Sequence, residues 1–276
     1  MIIVGERINS TRKTVQPAME TRDEAFLVRE ATAQWSAGSD YLDMNTATLL
    51  DGEPACMAWA VRLIQEAIPA ALISIDSPNV QALEAGLQAH RGRAMLNSIT
   101  GEAGRIAEVL PLVREFRPRV VVLTMDDEGL HRDPEKRFAI GASLIERLAR
   151  EGISAADVFV DPLVFPVSAE ADAGVTALDI MDKLKLAFPG VHTICGVSNV
   201  SYGLPVRKLV NQVYMILAMS RGLDAAIIDP LDARMMVNIV AARTLLGLDP
   251  GCRGYLAAYR EGRLGLDVPA SAGGRA

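Results

Sequence analysis

The sequence has few of the residues that mark a nucleophilic, metal-binding or disulfide-stabilised site. Its 276 residues include three cysteines and three histidines, and no two cysteines stand at the spacing of a metal-ligand pair. This scarcity argues against a disulfide framework and a structural zinc, and it favours a reducing compartment. No apolar run approaches the roughly 20 residues that cross a bilayer, and the N-terminus has no basic flank or cleavage site of a signal peptide. We therefore expect a cytoplasmic protein without a membrane segment.

Excess positive charge is also lacking. The formal net charge is −6 and the isoelectric point is near 5.2, so neither nucleic acid nor an anionic membrane is expected as the main partner. No glycine-rich phosphate loop is present, because the glycines at 101–104 are too close together and no Lys-Ser/Thr pair follows them. What the chain does have is apolar residues, 50% of the total, which is enough for a large core.

Short apolar runs alternate with helical stretches along most of the chain. Strands are predicted to begin near residues 2, 41, 71, 94, 120, 158, 191 and 225. Helices are predicted at 25–37, 54–68, 77–89, 102–116, 133–150, 175–188, 206–221 and 231–246. The strands are apolar throughout, as parallel strands covered by helices are. The pattern and length predict an α/β fold, a single (β/α)8 TIM barrel at 1–250, and a C-terminal extension at 251–276 with a short helix at 255–264 and a flexible tail.

Polar side chains follow the predicted strands, at the end where barrel enzymes keep their active sites. These residues are Glu6, Asn9, Asp43, Asn45, Asp76, Asn97, Asp126, Asp161, Asn199 and Asp229. Any one of them alone is better explained as a turn or helix cap. The whole ring favours a site for a flat, donor-rich heterocycle, because ionised carboxylates accept two parallel N–H bonds. A metal site made of carboxylates is the less favoured alternative, and we expect no metal.

The seventh strand carries the most informative polar cluster. Residues 191–195 are followed by Gly196 and then by Ser198, Asn199 and Ser201. An amide at the mouth of a buried strand can donate or accept a hydrogen bond, so it can follow a proton on a ligand nitrogen. No nucleophile with an adjacent base stands out, because Cys195 lies inside the strand and the histidines are scattered. This indicates chemistry in which the attacking group is carried by something else.

Seven short motifs occur together in the first 230 residues. They are GERIN at 5–9, LDMN at 42–45, SIDS at 74–77, MLNS at 95–98, DPL at 161–163, GVSNVS at 196–201 and GLDAAIIDP at 222–230. In this order they resemble the pterin-binding methyltransferases that work with corrinoid proteins, such as the methyltetrahydrofolate:corrinoid/iron–sulfur protein methyltransferases and their relatives in O-demethylase systems. Any single motif is weak, whereas seven in order are specific. The resemblance covers residues 1 to about 246.

The resemblance implies a function and roles for several residues. It implies a TIM barrel that binds tetrahydrofolate or 5-methyltetrahydrofolate, a corrinoid (cobalamin) supplied by a partner protein, and a homodimer. Asp76, Asn97 and Asp161 would hold the pterin ring, and Asn199 would contact N5 as the catalytic residue. Further substrate-binding residues are expected among the rim positions Glu6, Asp43, Asn45, Ser198 and Asp229.

Other functions remain open at this point. The resemblance also extends to dihydropteroate synthase, which shares the barrel and the pterin pocket of this family. Its phosphate-binding lysine and Ser-x-His-Arg ending have no counterpart here, because the eighth strand is followed by Asp229 and Pro230. A non-catalytic folate-binding subunit is a further alternative. The chain has no Asp-x-His-x-x-Gly corrinoid signature and no zinc-thiolate module for homocysteine, so it is not a complete methionine synthase. The direction of transfer stays open, and the apolar stretch at 208–221 indicates either ordinary packing or a dimer contact.

Overall fold

Eight parallel strands form a closed barrel in this computed structural model, which describes residues 1–265. Neighbours in the barrel follow one another along the chain, and β8 pairs with β1 to close it. The strands are β1 Ile2–Asn9, β2 Tyr41–Asn45, β3 Leu72–Asp76, β4 Met95–Ile99, β5 Arg119–Leu123, β6 Val158–Asp161, β7 His192–Gly196 and β8 Ala225–Ile228. The prediction of a single parallel α/β barrel is confirmed.

Helices surround the barrel and connect its strands. They are α1 Val15–Glu20, α2 Glu24–Ser36, α3 Glu53–Ala67, α4 Val80–Ala89, α5 Ala103–Phe116, α6 Pro134–Arg150, α7 Ala173–Ala187, α8 Arg207–Ser220, α9 Ala233–Leu245 and α10 Arg253–Arg260. Several begin where the sequence offers a capping side chain. Asp133, for example, accepts the backbone N–H of Glu135 and precedes a proline that suits a first helical turn.

Two elements differ from the sequence-based expectation. Strand β1 continues to Asn9 rather than ending near Val4, with an irregularity in its pairing to β2 between Gly5 and Ile8. The polar residues of the motif at 5–9 hid this extension, although they belong to the strand. The sequence pattern predicted no element at the short helix α1, which contains Pro17 and buries Val15 and Met19.

Alternation along the strands explains why one end of the barrel is closed and the other is polar. One layer inside the barrel is apolar and buried, and it consists of Val4, Tyr41, Met95, Val121, Phe159, Ile194 and Ala225. Residues two positions apart along a strand point to the same face. Two residues further towards the carboxyl end, the inward positions are therefore Glu6, Asp43, Asn97, Leu123, Asp161, Gly196 and Ile227. All of these except Leu123 line one cavity.

The C-terminal part leaves the barrel after α9. Helix α10 corresponds to the short helix expected at 255–264, but it begins and ends earlier. The expected flexible tail falls almost entirely outside the described residues. Within residues 1–265, no helix combines the length and the apolar character needed to cross a membrane.

Candidate active site

A cavity of about 520 Å³ opens at the carboxyl end of the barrel strands. Its lining is strongly polar and comes from every barrel strand except β5, from the loop after β1, from the turn after β7 and from the start of α8. The lining residues are Glu6, Asn9, Thr11, Arg12, Asp43, Asp76, Asn97, Asp161, Gly196, Ser198, Asn199, Arg207 and Ile227. Seven of the nine rim residues expected to bind substrate are therefore brought together here, namely all except Asn45 and Asp229.

Asn45 lies just behind the cavity and acts on a residue that lines it. Strand register places Asn45 beside Asp76, and Asp76 beside Asn97. The Asn45 amide donates to Asp76 Oδ2 at 2.8 Å. The Asn97 amide faces Asp43 Oδ1 at 3.4 Å, a long contact, so these two groups are held more loosely. The Asn45 bond restricts the orientation of the Asp76 carboxyl group.

Burial raises the pKa of both aspartates in this group. Desolvation raises the pKa of Asp76 to about 6, against the hydrogen bond from Asn45. Burial, and then the charge of Asp76, raise the pKa of Asp43 well above its usual range. Two carboxylates in one water-poor site disfavour each other's charged form. Burial and mutual repulsion therefore favour a pair of aspartates that carries less than two negative charges.

Asp161 closes the cavity from β6. It is 7% exposed, and its Oδ1 accepts the backbone N–H of Leu163 at 2.7 Å. Burial raises its pKa to about 7, while this hydrogen bond and the charge of Arg137 act in the opposite direction. At neutral pH the carboxyl group is therefore present in both protonation states, so it can either donate or accept a hydrogen bond.

Glu6 is the fourth cavity carboxyl group with a raised pKa. Burial and then the charge of Asp229 raise the pKa of Glu6 to about 7, while Ser198, Arg12 and Arg207 lower it. The Ser198 hydroxyl donates to Glu6 Oε2 at 3.3 Å, which joins β1 to the turn after β7.

Asn199 lies at the mouth, in a 3-10 turn at Val197–Ser201 directly after β7. Arg207 supports this turn, because it donates to the Ser198 carbonyl at 2.6 Å and to the Ser201 hydroxyl at 3.1 Å. The Asn199 amide makes no hydrogen bond with another side chain of the described part of the chain. A Cβ at Gly196 would lie 3.3 Å from its Nδ2, so the glycine leaves room for this side chain and for a ligand.

Two arginines hold the backbone directly after three of the site side chains. Arg137 on α6 is 1% exposed, and its guanidinium donates to the carbonyls of Pro162 and Leu163, the residues after Asp161. Arg105 on α5 donates to the carbonyls of Ser77 at 2.8 Å and Ser98 at 2.9 Å, the residues after Asp76 and Asn97. A guanidinium suits this role because its donors form a rigid fork. These contacts fix the strand ends to which the site side chains are attached.

The sequence and the fold are similar to those of known proteins. A family profile described as "Pterin binding enzyme" matches residues 5–229. The chain belongs to the pterin-binding enzymes. The methylcorrinoid:tetrahydrofolate methyltransferase of Eubacterium limosum is 34% identical to it over 267 residues, which are 96% of this chain and 98% of that protein.

Two further similarities define how far the likeness extends. The methionine synthase of Mycobacterium tuberculosis is 30% identical over 264 residues, covering 90% of this chain but 22% of that much longer protein. The structure of dihydropteroate synthase from Xanthomonas albilineans in complex with 7,8-dihydropteroate has a TM-score of 0.66, at 18% identity, over 91% of this chain and 94% of that one. At this identity the structural likeness shows the shared barrel.

Two expected rim residues of this pterin-binding enzyme lie apart from the main cavity. Asp229 accepts a hydrogen bond from Arg7 at 2.9 Å and lines a neighbouring cavity of about 230 Å³. Asp126 lies in the loop after β5, and its Oδ1 is 2.8 Å from His131 Nε2. Both carboxyl groups follow barrel strands, but each contacts another side chain of the same chain, Arg7 for Asp229 and His131 for Asp126. Among residues 1–265, no three histidine, cysteine or carboxylate side chains are grouped closely enough to hold a metal ion.

Sequence reasoning missed two cations of the site. Arg12, in the loop after β1, and Arg207, the first residue of α8, both line the cavity. Arginines in loops and first helical turns are ordinary surface residues, so composition did not distinguish them. Their proximity to strand ends was the available signal, because loops after barrel strands surround the active site.

Proposed function

We propose that this pterin-binding enzyme transfers a methyl group between N5 of tetrahydrofolate and the cobalt of a corrinoid carried by a partner protein. The observation that carries the proposal is the cavity itself, with the carboxyl and amide groups of Asp76, Asn97 and Asp161 in its depth and Asn199 at its mouth. The named activity of the Eubacterium limosum relative, which matches this chain nearly end to end, supports it.

The depth of the cavity suits the edge of a reduced pterin. That edge presents an amino group and ring N–H groups next to ring acceptors. An ionised carboxylate accepts such donors in pairs, an amide both donates and accepts, and a protonated carboxyl group can donate. Asp76, with a pKa of about 6, and Asp161, with a pKa of about 7, provide both kinds of carboxyl group at neutral pH. We assign pterin recognition to these two residues and Asn97.

Asn199 is assigned to N5 because of its position and its chemistry. Methyl loss from a tertiary amine needs a proton on N5, since the leaving nitrogen would otherwise be an unstable anion. The Asn199 amide oxygen can accept a hydrogen bond from a protonated N5, and its NH₂ group can donate to an unprotonated one. A side chain that serves both states stabilises the charge shift without moving a proton itself.

Proton exchange with N5 is assigned to the cavity carboxyl groups. A group that gains and loses a proton efficiently has a pKa near the working pH. Burial gives Glu6 and Asp161 pKa values of about 7, so both can exchange protons with a water molecule beside the pterin. The same groups serve either direction of transfer, because each step of the exchange is reversible.

The corrinoid is proposed to arrive on another protein, where its cobalt supplies the position that gains or gives up the methyl group. The chain has no Asp-x-His-x-x-Gly sequence around its three histidines. The enzyme's own contribution is to orient the pterin in an open cavity, so that N5 faces the approaching partner. The expected location is the cytoplasm, which agrees with three unpaired cysteines, two of them buried.

A spectroscopic assay tests the proposal. The protein, 5-methyltetrahydrofolate and a reduced corrinoid protein are mixed, and the absorbance change of the corrinoid is followed. Methyl transfer in either direction is the expected result. No transfer with several corrinoid proteins, together with folate binding at the cavity, would favour a folate-binding subunit instead. Formation of dihydropteroate from a pterin pyrophosphate and p-aminobenzoate would favour the synthase.

We also propose a homodimer formed through the outer faces of α7 and α8. On α8, Leu209, Val213 and Leu217 recur at helical spacing and are 56%, 51% and 47% exposed. They border an apolar groove of about 380 Å³ whose other wall includes Val175 on α7. Exposed apolar surface continuous over two helices favours burial against an identical surface, because a twofold contact pairs each patch with its own copy.

Light scattering tests this second proposal. The mass expected in solution is that of two chains, and Val213→Asp with Leu217→Asp should reduce it to one. Leu245→Asp is a matched control, since Leu245 on α9 is 87% exposed but lies outside the groove. A wild-type mass equal to the monomer, or a dimer that survives the double substitution, would refute it.

A further inference from the structure

The charges of the cavity change sign from its depth to its mouth. The deep residues are the acids Asp43, Asp76 and Asp161, which β2, β3 and β6 carry. At the mouth, Arg12 and Arg207 line the same cavity. Each is followed in the chain by an exposed lysine, at positions 13 and 208. A ligand that reaches from the depth to the mouth therefore meets acceptors first and cations last.

Arg12 is held in place without a carboxylate partner. The loop that carries it is ordered by Asn9, whose side-chain oxygen accepts the backbone N–H of Thr11 at 3.0 Å and its hydroxyl at 2.7 Å. The carbonyl of Arg12 accepts the backbone N–H of Val15 at 2.9 Å, at the start of α1. Arg12 is half-buried, and its side chain forms no salt bridge within residues 1–265. A cation positioned in this way at a cavity mouth suits an anionic ligand.

Arg207 differs from Arg12 because it forms hydrogen bonds that hold the turn after β7. Its donors hold Ser198 and Ser201, and its guanidinium lies 5.7 Å from the centre of the Tyr202 ring. The charges of Arg12 and Arg207 both lower the pKa of Glu6, although burial and Asp229 raise it overall. Both cations therefore act on the cavity, but the Arg12 side chain makes no hydrogen bond or salt bridge within residues 1–265 that its removal would break.

We propose that Arg12, together with Arg207, Lys13 and Lys208, binds the carboxylates of the glutamyl tail of the folate, so that affinity rises with the number of glutamates. This inference rests on the proposed function. With the pterin among the deep acids, the p-aminobenzoyl group must leave through the mouth and carry the glutamates with it. Each added γ-linked glutamate brings one more negative charge to a basic edge. These ion pairs are exposed, so salt should weaken them.

Binding of three substrates to the intact protein tests the inference. They are a 5-methyltetrahydropterin without the benzoylglutamate, 5-methyltetrahydrofolate monoglutamate and its triglutamate. Exposed ion pairs contribute about 0.2 to 1 kcal/mol each, and the triglutamate has two more glutamates than the monoglutamate. Wild-type protein should therefore bind the triglutamate about twofold to thirtyfold more tightly than the monoglutamate at low salt. Arg12→Ala should remove much of this preference and lower the affinity for the tail-less pterin far less than the affinity for the triglutamate. Arg12→Lys should keep part of the preference.

Arg132→Ala is the matched control, because Arg132 is an exposed arginine of the same rim in the loop after β5 and does not line the cavity. It should leave the tail preference intact. Equal losses for all three substrates in Arg12→Ala would make Arg12 a determinant of cavity shape and overturn the inference. A raised KM for the corrinoid protein alone would assign Arg12 to the partner and also overturn it. Equal binding of monoglutamate and triglutamate refutes only this inference, whereas wild-type protein that binds no pterin refutes the proposed function as well.

Discussion

Replacing Asp161 by asparagine should make the ligand-free protein more stable at alkaline pH. Asp161 is 7% exposed, and burial raises its pKa from 3.8 to about 7. Folding therefore favours the protonated form, so the contribution of this group is greatest below about pH 4 and is lost as the pH rises to about 7. An asparagine carries no charge at any of these pH values and keeps an oxygen for the Leu163 N–H.

The structure sets the size of the effect. One pKa unit corresponds to about 1.4 kcal/mol, so a change from 3.8 to about 7 corresponds to an upper limit of about 4 kcal/mol. Local relaxation and water entry reduce this penalty, so a gain of about 1 to 4 kcal/mol is expected above pH 7. Below about pH 4 the substitution should change the free energy of unfolding little. The variant should also bind pterin more weakly, because an asparagine at position 161 cannot accept hydrogen bonds as a carboxylate does.

Urea unfolding of both proteins between about pH 4 and pH 9 measures this difference. The free-energy difference between variant and wild type should grow through the range from pH 4 to 7 and then level off. Asp51→Asn is the control, because Asp51 is an exposed carboxylate of the turn after β2. It should show no such pH dependence. A variant that is less stable at every pH, by a constant amount, would refute the reasoning from charge burial.

Three further predictions concern the same site. Asn199→Ala should lower the rate of methyl transfer by about 10- to 1,000-fold, the range for loss of one oriented dipole, and weaken folate binding less. Equal losses in binding and no change in the rate of the bound complex would make Asn199 a docking group. Arg137→Met should lower the free energy of unfolding by about 3 to 5 kcal/mol, measured with urea, since it leaves the carbonyls of Pro162 and Leu163 without their donors. A loss below about 1 kcal/mol would contradict this. Gly196→Ala should raise the KM for folate with little change in stability, because the new methyl group enters the cavity 3.3 Å from Asn199 Nδ2. An unchanged KM would show that the folate does not need the space beside Gly196.

Much of the barrel could be predicted from the chain alone because its signals are local. Parallel strands covered on both faces are uniformly apolar. Their ends are marked by polar residues such as Asp161 and Asp229, each of which is followed by proline. The same local rule misjudged β1, whose last residues are polar because they enter the cavity. It also missed α1, where a proline lies within a helix of six residues.

The positions of the candidate site could be predicted only in part. Asp76 and Asp161 end their strands and Asn97 lies in the middle of β4. Alternation sets which side chains of these strands face inward, so the barrel fold itself predicts that the three share one cavity. The hydrogen bond that Asp229 accepts from Arg7 joins residues 222 positions apart, so no local pattern reveals it. Their roles in binding and catalysis remain predictions that the proposed variants test.

The order of polar and apolar residues along the chain determined the fold class, the end of the barrel that is polar, and the amide and carboxyl groups found there. Tertiary structure alone decided which of these groups share a cavity, how deeply each is buried, and which cations stand at the mouth. The physical reason is that alternation and capping act between neighbours in sequence. Desolvation, which raises the pKa values of Glu6, Asp76 and Asp161, depends on what the whole barrel places around each group.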